Sequence, residues 1–139
     1  MALTLVLSAC SAGNPDQPTS SDQGLTATSF DGKFVVEELQ TGTDDVLNPT
    51  SMTITIDADA ASVDVDSGCN THLGSYSLFD DGTASFTLVG GTTKACDAEL
   101  RPQDLAIQEA LAAVDSWSGD TTTIVFESPD ADLVTLRRA

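Results

Sequence analysis

The sequence predicts a mainly β domain of the α+β class. About eight short strands are expected to form a compact antiparallel, barrel-like sheet, with one α-helix near residues 102-115. Apolar residues alternate with polar ones in short runs between positions 34 and 88 and again between 122 and 137, which is typical of strands with one buried face. Glycine, proline and Asp-Gly signals separate these runs. A single later run has the spacing of an amphipathic helix instead.

Five alternating segments make up the first half of the domain. Val63 and Val65 form the third, and counting on by twos places Ser67 and Cys69 on the same side, so we expect Cys69 to point into the core. The residues that mark the five segments are Phe34, Val36 and Leu39; Met52, Ile54 and Ile56; Val63 and Val65; Gly74, Tyr76 and Leu78; and Phe86 and Leu88.

Turn signals lie between these segments. Asn48-Pro49 separates the first two, Asp80-Asp81-Gly82 predicts a hairpin between the fourth and fifth, and Gly90-Gly91 ends the fifth. Each of these boundaries is therefore explained by residues that favour turns.

The predicted helix begins with Pro102, a residue that suits the first helical turn because its missing N–H would be unpaired there anyway. Its apolar positions fall on one face, which we expect to pack on the sheet: Ile107, Ala110, Leu111 and Val114. Two closing strands, 122–127 and 133–137, follow Trp117 and Gly119.

The size and charge of the chain limit its function. Its 139 residues suit one domain, and 22 acidic against 5 basic residues give a formal net charge of -17. Such a field repels phosphate backbones and anionic headgroups, so we expect no nucleic-acid binding. The acidic surface favours a monomer that stays in solution, while a cationic partner or adaptation to high salt is the alternative.

The N-terminus resembles that of a bacterial lipoprotein. An apolar run over residues 2–9 ends in Leu7-Ser8-Ala9-Cys10, which is similar to a lipobox, where the signal is cut before a cysteine that then carries fatty acids such as palmitate. The run is too short to span a bilayer, which needs about 20 apolar residues. No basic residue precedes Lys33, so we expect residues 1–10 to be the remnant of a signal peptide whose true start lies upstream.

Lipidation of Cys10 would anchor the protein to a membrane on its extracytoplasmic side, in the bacterial cell envelope. Residues 11–30 are mostly Ser, Thr, Asp, Gln, Gly and Pro, a composition that cannot bury a core. We expect them to form a disordered tether reaching roughly 25 Å. Residues 31–139 would then be the folded domain.

Three motifs in that domain resemble the META domain, or HslJ-like, family over about residues 31–138. They are Gly68-Cys69-Asn70, Gly74 with Tyr76, and Thr93-Lys94-Ala95-Cys96. The helix positions Ile107, Leu111 and Val114 and the segment Leu133-Val134-Thr135-Leu136-Arg137 also match. Phe34 departs from the family's usual Trp, and His72 stands where an apolar residue is common. The resemblance implies a barrel-like sheet with a helix, often in exported or lipid-anchored proteins, and no catalytic residues or cofactor.

Cys69 and Cys96 are the two cysteines of the domain. An exported domain lies in an oxidising compartment, so we expect a structural disulfide between them. Two separate buried thiols, or a redox or metal role, are the alternatives, although no Cys-x-x-Cys spacing is present.

No other residues form a recognisable catalytic or metal site. His72, the only histidine, is expected in an exposed turn, and neither Ser67 nor Ser75 lies in a nucleophile motif. Asp64 and Asp66 superficially resemble a calcium loop, but the pattern lacks its later ligands. Lys94 is expected to be a local charge on its turn. We therefore expect no enzyme activity and no dedicated metal site, with weak binding of divalent cations by the acidic surface as the alternative.

The function expected from these observations is that of a membrane-anchored lipoprotein with a non-catalytic binding or envelope-stress role. Two alternatives remain: a carrier of a small apolar ligand within the barrel, and a protein-binding or inhibitor module.

Overall fold

The computed structural model describes residues 30–40, 46–49 and 51–139. The lipobox-like segment with Cys10 and positions 11–29 of the predicted tether lie outside these residues. The described elements, in chain order, are β1 (Gly32–Gln40), β2 (Val46–Leu47), β3 (Thr53–Asp57), β4 (Ser62–Asp66), β5 (Thr71–Leu78), β6 (Ala84–Gly91), α1 (Arg101–Ala113), β7 (Ser116–Gly119), β8 (Thr123–Ser128) and β9 (Ala131–Arg138).

Eight of the strands form one antiparallel sheet in the order β6-β5-β4-β3-β1-β9-β8-β7, and β2 pairs with the end of β1. The two outer strands approach each other through a bridge between Thr83 and Ser116. Two backbone hydrogen bonds flank that bridge, from Ala84 N–H to the Asp115 carbonyl and from Trp117 N–H to the Gly82 carbonyl. The sheet therefore curls into a half-barrel, which confirms the predicted fold class.

The concave side of the sheet is filled by a single apolar core. The apolar residues that mark the first three predicted segments are all buried, and Phe86 of β6 packs edge-on against Phe126 of β8 with ring centroids 4.8 Å apart. Fully burying a side chain of this size stabilises a fold by about 1.5–3 kcal/mol. Phe30, which the sequence assigned to the tether, is also fully buried, with its ring 4.6 Å from that of Trp117. The folded domain thus begins by Phe30.

Helix α1 lies over the open side of the half-barrel and contacts β6, β1, β9 and β8. The predicted stripe is buried: Ala110 and Leu111 lie within the helix beside Ile107, and Val114 follows its last turn. The helix is neither long nor apolar enough to cross a membrane, and none of the described residues forms a helix that is.

Three local predictions were wrong. Strand β7 was not predicted, because Trp117 is its only buried residue and a single apolar position shows no period. Strand β4 ends at Asp66, since Gly68 has a positive φ of 90° that extended strands do not use, so Cys69 is only half-buried. His72 lies within β5 and is buried, where it shares the inward face with Gly74 and Leu78.

Two adjacent glycines at the end of β6 provide a test of this packing. A Cβ at Gly91 would lie 2.2 Å from the Thr71 carbonyl oxygen, and its φ of +151° disfavours a side chain, whereas a Cβ at Gly90 would meet open space. We expect Gly91→Ala to lower the free energy of unfolding by about 1–3 kcal/mol, and Gly90→Ala to change it by less than about 0.5 kcal/mol. Urea unfolding of the two variants measures the difference; equal effects would contradict the described β5–β6 pairing.

Candidate functional site

Five buried polar side chains gather where the first turn of α1 meets the turn after β4. They are Ser67, Asn70, His72, Gln103 and Asp104. A buried polar group is costly unless it is hydrogen-bonded. Within the described ranges, each buried side-chain nitrogen or oxygen has such a partner. The cluster is therefore a complete polar network set at the margin of an apolar core.

The Asp104 carboxylate is the common acceptor of this network. Its Oδ1 accepts from the Ser67 hydroxyl at 2.5 Å and from His72 Nε2 at 2.8 Å, and its Oδ2 accepts from Asn70 Nδ2 at 3.4 Å. Burial raises the pKa of Asp104, but the hydrogen bonds from Ser67, His72 and Asn70 lower it by more, so the net shift is downward. Asp104 is consequently ionised at neutral pH.

Asn70 joins the network to the segment after β6. Its Oδ1 accepts from the Lys94 backbone N–H at 2.7 Å and from the Thr92 hydroxyl at 2.9 Å, and its Nδ2 donates to the Lys94 carbonyl at 3.3 Å. A single amide side chain thus pairs with the Lys94 backbone in both directions. Lys94 takes part through its main chain, whereas the prediction gave it a role through its charge.

A disulfide between Cys69 and Cys96, with Cα atoms 5.6 Å apart, makes the second connection to this segment. Asn70 Nδ2 lies 3.5 Å from Cys96 Sγ, so the covalent and hydrogen-bonded connections are adjacent. The cysteines are 27 positions apart, and closing a loop of that length stabilises a fold by about 3–4 kcal/mol in the chain-entropy view. Residues 92–100, which have no regular secondary structure, are held in place by these connections.

An open cleft of about 480 Å³ lies beside the network. Its lining consists of Asn70, His72, Leu88, Asp104, Gln108 and residues 90–94. Small-molecule sites typically have volumes of about 300–1,000 Å³ and a few placed polar groups. The cleft therefore has the size and lining of a ligand site, and it lies outside the packed interior of the half-barrel.

The predicted motif residues have separate roles. Gly74 is required by packing, because a Cβ there would lie 2.2 Å from the Thr87 carbonyl oxygen. Tyr76 is half-buried against Phe86 and lies apart from the cleft, while Thr93 and Ala95 are exposed on the segment that the disulfide holds. Gly68 allows the turn between β4 and β5, where its N–H donates to Asp66 Oδ1 at 2.9 Å.

Sequence reasoning missed His72, Gln103 and Asp104 as members of the site. Two of the three are indicated by their spacing: His72 lies at an inward position of β5, and Asp104 lies three residues before Ile107 on the buried helix face. Asp64 and Asp66 are exposed, and the described residues contain no group of three or more His, Cys, Asp or Glu side chains placed to hold a metal ion.

The network contains the residue types of a catalytic triad in a different arrangement. Ser67 is fully buried and hydrogen-bonds to the carboxylate, whereas an activated serine hydrogen-bonds to the imidazole. Cys69 and Cys96 are in a disulfide, so neither offers a thiolate to the cleft. The arrangement is suited to holding structure and binding a ligand.

This chain is similar to known proteins in sequence pattern and in fold. The family model described as META domain matches residues 25–139. A solved structure described as a protein from Burkholderia xenovorans is similar, with a TM-score of 0.66 and 22% identity over 81% of this chain and 85% of that chain. A DUF4847 family protein from Bacteroides vulgatus has a TM-score of 0.50 and 14% identity over 63% of this chain and 59% of that chain. Both likenesses show the fold alone. No curated protein matches the sequence.

The lowered pKa of Asp104 predicts how its contribution depends on pH. We expect Asp104→Asn to lower the free energy of unfolding by about 2 kcal/mol at pH 7, because hydrogen bonds to a buried ionised group are lost. An unfolded Asp takes up its proton near pH 4, above the folded-state pKa. The contribution of the carboxylate is therefore complete above that pH and is lost as the pH falls through the folded pKa.

The stability gap between wild type and Asp104→Asn should thus narrow as the pH is lowered from 6 towards 3, which urea unfolding at each pH measures. Asp64→Asn, at an exposed position of β4, is the matched control and should change stability by less than about 0.5 kcal/mol. A gap that stays constant over this range would show that the charge of Asp104 has no part in the network.

Proposed function

The chain belongs to the META domain family, and from that membership we propose that it is a non-catalytic binding module, held by lipid on Cys10 at the extracytoplasmic face of a membrane. The observation that carries the proposal is the cleft beside the disulfide. It is a concave, polar surface, and the disulfide fixes the segment after β6 that forms one of its walls. A fixed wall favours binding because the segment does not have to become ordered when a ligand binds.

The state of the reactive groups supports binding over catalysis. Ser67 is inaccessible, both cysteines of the domain are oxidised, and the Asp104 carboxylate already accepts three hydrogen bonds. Nucleophilic catalysis needs a nucleophile that a base can activate and that a substrate can reach. Ser67, Cys69 and Cys96 therefore do not meet both conditions.

The filled interior argues against a carrier for an apolar molecule within the barrel. Phe86 of β6 and Phe126 of β8 meet there across the sheet, with ring centroids 4.8 Å apart, and Phe34 and Leu136 are also fully buried. An eight-stranded barrel is just wide enough for its interior to be filled in this way. Binding at the cleft outside the interior therefore fits the described residues better than the carrier function.

Two observations support the extracytoplasmic location. Disulfides persist in oxidising compartments and are rare in the cytosol of mesophilic cells, so the Cys69–Cys96 bond favours export. Cys10 follows Leu7-Ser8-Ala9 as in a lipobox. Lipidation there would leave a polar tether between the membrane and Phe30, where the buried core begins.

Lipidation can be tested by expressing the full chain from its native gene in a bacterial host that is fed an alkyne-tagged fatty acid. We expect the wild-type protein to carry the label and to sediment with membranes. We expect Cys10→Ser to carry no label and to leave the membrane fraction, because the thiol that would be acylated is gone.

Ser11→Ala, which changes the next residue without removing the thiol, is the matched control and should keep both label and membrane association. A wild-type protein that carries no label would contradict membrane anchoring through Cys10 and leave the cleft to be tested separately.

A further inference from the structure

His72 has one ring nitrogen that the network does not use. Its Nε2 is bonded to Asp104 Oδ1 at 2.8 Å, while Nδ1 has no hydrogen-bond partner among the described residues. No buried side-chain nitrogen in the described ranges lacks a partner, so Nδ1 must be accessible to solvent. Because His72 lines the cleft, its accessible nitrogen is available to a ligand there.

Asp104 determines which hydrogen-bonding role this nitrogen has. The ionised carboxylate is an acceptor only, so the proton of a neutral His72 lies on Nε2. Nδ1 then carries a lone pair and accepts a hydrogen bond. The carboxylate thus positions an acceptor at the cleft, in a side chain that is itself only 8% exposed.

Apart from Lys94, the other polar side chains available in the cleft are uncharged. Gln108 donates from Nε2 to the Asp104 carbonyl at 3.0 Å, one turn back in its own helix, which leaves its amide oxygen as an acceptor. Thr93 adds an exposed hydroxyl, and half-buried Leu88 adds an apolar surface. A hydroxyl group suits such a lining because it both donates and accepts.

The charges around the cleft disfavour ionic ligands. The Asp104 carboxylate already accepts hydrogen bonds from three donors, and it is the only carboxylate among the lining residues, so none is left to bind a cation. Lys94 is the only lining residue with a positive charge, and it is exposed in a protein of net charge -17, whose field repels anions at long range. A neutral ligand meets neither difficulty.

We propose that the cleft binds a small, neutral, polyhydroxylated molecule of the carbohydrate class, with one ligand hydroxyl donating to His72 Nδ1. The proposal rests on the binding function proposed above and specifies its ligand chemistry. The C–H face of a sugar ring packs on Leu88, and its remaining hydroxyls reach the Gln108 amide and Thr93.

The single histidine of the chain makes a direct test possible, since its ring nitrogens give the only imidazole signals in a ¹⁵N NMR spectrum. The probes are free glucose, galactose, mannose and N-acetylglucosamine, compared with glucuronic acid and glucosamine as charged counterparts. We expect the spectrum without sugar to show the proton on Nε2, and at least one neutral sugar to shift the Nδ1 signal with saturation.

Two variants separate ligand binding from structure. His72→Gln keeps an amide that can donate to Asp104 from the position of Nε2 but removes the acceptor at Nδ1. We therefore expect a folded protein that shows no saturable sugar binding when the titration is monitored by backbone NMR. Gln108→Leu keeps a good helix former and removes only the side-chain amide, so we expect a loss of affinity of about tenfold. Thr87→Val, exposed on β6 and outside the cleft, should bind as wild type.

Three results would overturn the proposal: no saturable shift with any neutral sugar, tighter binding of glucuronic acid or glucosamine than of the neutral sugars, or undiminished binding by a folded His72→Gln. None of these results bears on fatty-acid labelling of Cys10, so failure of the ligand class is distinguishable from failure of membrane anchoring.

Discussion

The carboxylate of Asp104 is the constraint on which the rest of the site depends. It comes from the first turn of α1 and accepts hydrogen bonds from Ser67 and Asn70 in the turn after β4 and from His72 at the start of β5. Gln103 of the helix also donates from Nε2 to the Ser67 carbonyl, while the apolar contacts between helix and sheet fix no orientation. Shared hydrogen bonds to one buried charge specify where the helix begins relative to the turn.

The Gly-Cys-Asn motif follows from this arrangement. Gly68 allows the turn, Cys69 attaches the segment after β6 covalently, and Asn70 attaches it by pairing with the backbone of Lys94. The same Asn70 amide also reaches Asp104. The disulfide, the turn and the helix are thereby linked through two side chains, and the cleft is the concave surface that remains beside them. The motif is structural, and it positions one wall of the cleft.

Much of the fold could be predicted from the sequence because it depends on local periods. The inward positions of β3 and β4 follow from a spacing of two residues, and the stripe of α1 follows from spacings of three to four. Strand β7 could not be predicted, since it has one buried residue and depends on pairing with β8. His72 was placed in an exposed turn because a lone polar residue gives no sign of a buried partner. That partner, Asp104, lies 32 residues further along the chain.

The most direct measurement of the central claim is native-state hydrogen exchange in wild type and Asp104→Asn. If one carboxylate connects the helix to the segment after β6, the amides of Ile107 and Gln108 in α1 and the amide of Lys94, which donates to Asn70, should lose protection by the same factor. Amides of β8 and β9, whose ladder is independent of the network, should keep theirs. Loss of protection in the helix with wild-type protection at Lys94 would show that the two parts are held separately, and would contradict the role assigned to Asp104.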